Sequence, residues 1–155
     1  MGSVEVERPG NSRNADPREL HARVADIIER LYEVRNYASA LAYHWRQAEN
    51  PKKEQFYVIL AGEQALRSGA YREAVNLYDR ALLLIESQQG DRLTAQNQRV
   101  YFLHRKAEAH LGFGAYTEAE AIYSESLHIC EKLGDQIGIA RYRRRHDALR
   151  RCAGD

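Results

Sequence analysis

An all-α fold follows from three features of the sequence. Apolar residues recur at three- and four-residue steps, helix breakers fall at intervals, and no segment between breakers alternates as a strand does. The first 15 residues, MGSVEVERPGNSRNA, combine Pro, Gly, Asn and Ser without helical periodicity and read as a flexible leader. Asp16-Pro17 then has the form of an N-cap followed by proline at the first helical position, where a missing N–H costs nothing. Val24, Ile27, Ile28, Leu31 and Val34 follow at spacings that place them on one helix face. Breakers at Asn36, Asn50-Pro51, Gly69, Gly90-Asp91, Gly112 with Gly114, and Gly134-Asp135 divide the remainder. Seven helices of roughly 13 to 20 residues with short turns are expected.

The helices repeat. SGAYREAVNLYDRALLLIES (68–87) and FGAYTEAEAIYSESLHICEK (113–132) share G-A-Y-x-E-A, then a tyrosine four residues on, a small residue and a leucine. NYASALAYHWRQA (36–48) echoes them with Tyr37, Ala40, His44 and Gln47. The anchor tyrosines Tyr37, Tyr71 and Tyr116 lie 34 and then 45 residues apart. The longer step implies an insertion around Ser87 to Thr94.

On these residues the chain resembles the tetratricopeptide repeat (TPR) family. In residues 55–88, Gly62, Gly69, Tyr71, Ala74, Tyr78 and Ala81 hold the family's small, glycine and aromatic places. In residues 100–133 the same places fall to Ala107, Gly114, Tyr116, Ala119, Tyr123 and Ser126. The first unit, about 21–50, departs with Ile28 at the small position and Arg35 at the glycine, as a terminal unit can. Small residues let helix backbones approach, and tyrosines wedge between neighbours. The resemblance implies a right-handed superhelical stack of about three helix pairs plus a C-terminal helix (136–151), a single repeat domain over 16–155. RELHARVADIIERLYE, ALAYHWRQAEN and YVILAGEQALRSGAYREAV are also similar to the helical-repeat region of large bacterial multidomain regulators of the ATPase and nucleotide-cyclase type. That likeness implies a piece of a longer signalling protein.

Composition sets further bounds. The 155 residues are 44% hydrophobic and 29% charged, ordinary for a folded domain with one core. No run of about 18 apolar residues exists, so no membrane contact is expected. Two cysteines, Cys130 and Cys152, are too few for a disulfide framework, and a reduced, cytoplasmic setting is the expectation. The 23 basic and 22 acidic side chains nearly balance, but residues 139–155 hold six arginines against two aspartates.

No metal motif, nucleophile elbow or phosphate-binding loop appears, so neither an enzyme nor a cofactor or metal site is expected. The family register points instead to partner binding. It implies that the first helix of each pair lines a concave groove through its second, fifth, ninth and twelfth positions. The ninth positions are Glu29, Glu63 and Glu108, an acidic ladder, which is also the composition of an ordinary solvated helix face. Beside it fall Phe56, Ile59, Leu66, Tyr101, His104 and Leu111. Such a groove suits a protein or peptide with apolar and basic anchors, bound by a monomer or a weakly self-associating chain. Two other functions stay open. One is an intramolecular regulatory or sensor segment of a larger ATPase or cyclase. The other is nucleic-acid binding through a basic patch of Arg141, Arg144 and Arg145, although the arginine stems of this last helix can equally lie over the last pair and meet Glu118, Glu120 or Glu125. Trp45 is expected to pack between the first two units.

Overall fold

A computed structural model describes residue 2 and residues 15–88 and 90–153, so most of the expected leader lies outside the described residues. Seven α-helices are found among them: α1 (Pro17–Leu31), α2 (Ala38–Gln47), α3 (Pro51–Ser68), α4 (Tyr71–Ser87), α5 (Arg92–Gly112), α6 (Tyr116–Leu133) and α7 (Gln136–Ala153). Local chemistry sets the boundaries. The Asp16 carboxylate accepts from the Arg18 N–H at 2.9 Å, Asn50 from the Lys53 N–H at 3.1 Å and Asp91 from the Thr94 N–H at 2.9 Å. Each thereby satisfies a donor that the first helical turn leaves without a partner. At the other ends Gly69 and Gly134 take φ of 78° and 69°, the left-handed conformation that lets the chain leave α3 and α6. Two helices fall outside the expected lengths. A 3-10 turn at Val34–Tyr37 shortens α2 to 10 residues, and an added N-terminal turn extends α5 to 21.

Each helix packs chiefly on its neighbours in the chain, so six antiparallel contacts follow one another from α1 to α7. The core divides accordingly. Leu41, Trp45, Tyr57, Val58, Tyr78 and Phe102 form a first cluster, with Trp45 buried between the first two units; Tyr123, Cys130, Tyr142 and Leu149 form a second. Close approach depends on missing side chains. A Cβ on Gly62 would sit 2.9 Å from the Tyr78 ring, and one on Gly112 would collide with the Tyr71 ring.

Two expectations about packing are corrected. Of the three anchor tyrosines only Tyr71 wedges into the next unit; Tyr37 and Tyr116 are exposed. The cause is the residue opposite. The register positions that match Gly112 are Arg67 in α3 and Arg151 in α7, so neither has the bare glycine backbone that receives the Tyr71 ring. In α1 the apolar residues do not share one buried face. Ile28 turns inward, as does Val34 in the 3-10 turn that follows, whereas Val24, Ile27 and Leu31 stand in solvent.

Candidate functional site

The first helices of the pairs, α1, α3 and α5, and the last helix α7 meet along one side, and the three glutamates of the register sit at their junctions. Glu29 on α1 accepts from Trp45 Nε1 of α2 at 2.8 Å, and from the Tyr57 hydroxyl at 2.9 Å and Lys53 Nζ at 3.1 Å, both of α3. Glu63 on α3 repeats the arrangement. It accepts from the Tyr78 hydroxyl of α4 at 3.1 Å, the Tyr101 hydroxyl of α5 at 2.7 Å and Arg105 Nε of α5 at 2.7 Å, with a second guanidinium contact from Arg105. Glu108 on α5 pairs with Arg105 at 2.7 Å and more distantly with His104 (3.5 Å) and Arg145 of α7 (3.9 Å).

The row of acids is therefore satisfied from within the chain. Burial by itself would raise the proton affinity of Glu29 and Glu63, but the donors around them more than offset it and hold both carboxyls below the usual range. The reciprocal effect appears on Tyr57, which burial and the adjacent Glu29 charge push up to about 12, and on Tyr78 and Arg105, which also move upward. The ladder ties each unit to the next. It offers little net negative charge to a ligand.

What remains open on this side is aromatic and aliphatic. Phe56 is 59% exposed and stands edge-on to Tyr57; Tyr101 is exposed on α5. Ile59, Leu66 and Leu111 are half-buried beneath. Tyr101 and His104 join Ile137, Arg141 and Tyr142 around a cleft of about 180 Å³ between α5 and α7. His104 has its Nδ1 buried without a hydrogen-bond partner among the described residues, and burial lowers its proton affinity despite the nearby Glu108. The structure thus joins residues that the sequence assigns to two separate sites.

The basic patch does not act as one stripe. Arg141 borders the cleft, Arg144 Nε donates to its own helix at the Ala140 carbonyl (3.2 Å), and Arg145 reaches Glu108 and the Tyr123 hydroxyl. Of the three acids expected to meet the arginine stems, Glu120 does so, with Arg150 at 3.6 Å; Glu125 is held by Arg99 of α5 instead.

Two features have no counterpart in the sequence reading. Glu54, buried in the first turn of α3, is gripped by Arg80 of α4 through two contacts of 2.5 and 2.9 Å. A groove of about 660 Å³ lies between the N-terminal part of α5 and the C-terminal part of α6, lined by Leu93, Ile129 and Leu133 with Arg92, Arg99 and Lys132 at its edges. The 45-residue step between Tyr71 and Tyr116 was its signal, since the groove is walled by the turn that the insertion adds to α5.

Among the described residues no helix is long and apolar enough to cross a membrane, and no three His, Cys, Asp or Glu side chains converge as metal ligands. No family model matches the chain, and no curated protein and no solved structure matches it either.

Proposed function

We propose that this chain is a non-catalytic docking scaffold of the tetratricopeptide type that holds a peptide, helix or neighbouring domain across α3, α5 and α7. One observation carries the reading: Phe56 and Tyr101 stand exposed above a side whose charges are already paired. Large aromatic side chains on a fixed base are the usual anchors of protein recognition, because they bury much area at small entropic cost. With Glu29, Glu63 and Glu108 engaged internally, apolar contact rather than basic anchors sets the affinity. Of the basic patch Arg145 is drawn to Glu108, and beside it Arg143 and Arg150 pair with Glu131 and Glu120; this lowers the free positive charge of α7 and favours a protein partner over nucleic acid. Free Cys130 and Cys152 are in keeping with a reducing cytoplasm.

The test compares proteins captured from the source lysate by wild type and by Phe56→Ser combined with Tyr101→Leu, after circular dichroism shows unchanged helicity. Loss of a dominant partner is expected. Undiminished capture would remove this side from the account. Charge reversal at the three glutamates is not a substitute, because it breaks the junctions themselves.

A further inference from the structure

Helix α1 has two apolar faces. Ala25, fully buried, packs with Ala22 and Ile28 into the first core cluster. Leu20, Val24, Ile27 and Leu31, spaced four, three and four residues apart, form a second line along the opposite flank. All four are 40–71% exposed.

The 34-residue repeat carries these positions onto Glu54, Val58, Ala61 and Ala65 of α3, which are 2–5% exposed. The difference lies in the neighbours. α3 is flanked by α2 before it and α4 after it, whereas α1 has α2 on one side and no preceding helix among the described residues. The α1 stripe is thus a helix-packing surface in register with one that is closed elsewhere in the molecule, and its side chains are wholly apolar. Single exposed apolar residues are ordinary; four in one line are a mark of an interaction surface.

Charge indicates the occupant. Arg23 and Arg30, seven residues apart, border the stripe, and neither has a carboxylate partner among the described residues. Arg30 donates to the Asp26 carbonyl of its own helix, while the Asp26 carboxylate is drawn to Lys53 of α3. A second copy laid antiparallel on the stripe would set Arg23 of one chain against Arg30 of the other. The geometry points to a docking site for an amphipathic helix of another protein, one with acidic residues beside an apolar face spaced i, i+3, i+4, i+7. That is the spacing of Ala38, Leu41, Ala42 and Trp45, which α2 buries against its neighbours. The site uses none of the residues of the α3–α5 side and stands independently of the function proposed for it.

The experiment uses the full chain and a 15-residue capped peptide with Ala, Leu, Ala and Trp at that spacing and Glu or Ala elsewhere, beside a counterpart with Lys for Glu. Methyl resonances of Leu20, Val24, Ile27 and Leu31 are expected to shift saturably with the acidic peptide. Val24→Glu with Ile27→Glu should weaken binding at least tenfold, and Arg23→Glu with Arg30→Glu should reverse the preference toward the lysine peptide. Because Arg23 and Arg30 are exposed, the charge variant retains its fold and decides the matter if the apolar variant does not. Four results would overturn the inference. They are no binding at millimolar peptide, equal binding of both peptides, shifts centred on Phe56 and Tyr101, or sedimentation showing that the stripe closes on a second copy of the chain.

Discussion

The junction between α3 and α5 and the junction between α5 and α7 use the same register position differently. At the first, Glu63 is enclosed by a two-pronged Arg105 and two tyrosine hydroxyls. At the second, Glu108 faces Arg145 at 3.9 Å, His104 stands beside it with a buried nitrogen unsatisfied, and Tyr123 accepts from Arg145 at a long 3.4 Å. A partly buried carboxylate gains from its ion pair only when geometry is good and the remaining lone pairs are filled. The first junction meets that condition and the second does not. One repeated glutamate therefore yields one rigid seam and one loose seam.

The largest expected effect breaks the tight seam. Arg105→Leu leaves Glu63 half-buried without its cation, removes the nearest cation of Glu108 as well, and should lower unfolding free energy by about 2–3 kcal/mol, less than a fully buried pair because the groups keep some water. Arg145→Leu should cost under about 1 kcal/mol, since its contacts are long and exposed. Urea midpoints of the two variants measure the difference, and equal losses would erase the contrast.

Acidification should separate the seams in order. The proton affinity of His104 is lower in the fold than in the unfolded chain, so it adds stability above the unfolded pKa of about 6.5 and loses it as pH falls below that. Glu63 is likewise lowered, but its unfolded pKa is about 4.3, so its contribution persists through mild acid and fades as pH falls through its folded value. Amide protection in α7, taken relative to intrinsic exchange at each pH, should fall between pH 7 and 5 while protection in α3 holds, and His104→Gln should flatten the α7 response. A comparably small effect refines the tight seam. Tyr101→Phe removes one of the hydroxyl donors to Glu63, while the Arg105 and Tyr78 contacts remain. A loss of about 0.5–1 kcal/mol in urea unfolding is expected.

The positions of the helices were readable because caps and breakers act locally: Asp16-Pro17, Asn50-Pro51 and Gly69 do in the structure what their chemistry indicates. The repeat register singles out Glu29, Glu63 and Glu108 as one position, but as a partner-facing row; that they bind one helix to the next was not legible. Nor were their partners. Glu29 takes its donors from Trp45, Lys53 and Tyr57, but Glu63 takes them from Tyr78, Tyr101 and Arg105. Lys53 and Arg105 do not occupy matching register positions, so the same need is met from different places along the helix. The Glu54–Arg80 pair was hidden for a related reason. A charged residue in a first turn reads as exposed, and only the approach of α4 encloses it.

Because each helix leans chiefly on the one before and the one after, no extensive contact among the described residues clamps the first helix to the last. Load applied along the chain is then borne by one interface at a time, as in a stack of tiles rather than a ball. Such a chain yields from its ends and recoils as they settle back. A pull on a chain ordered in this way should part its interfaces one after another.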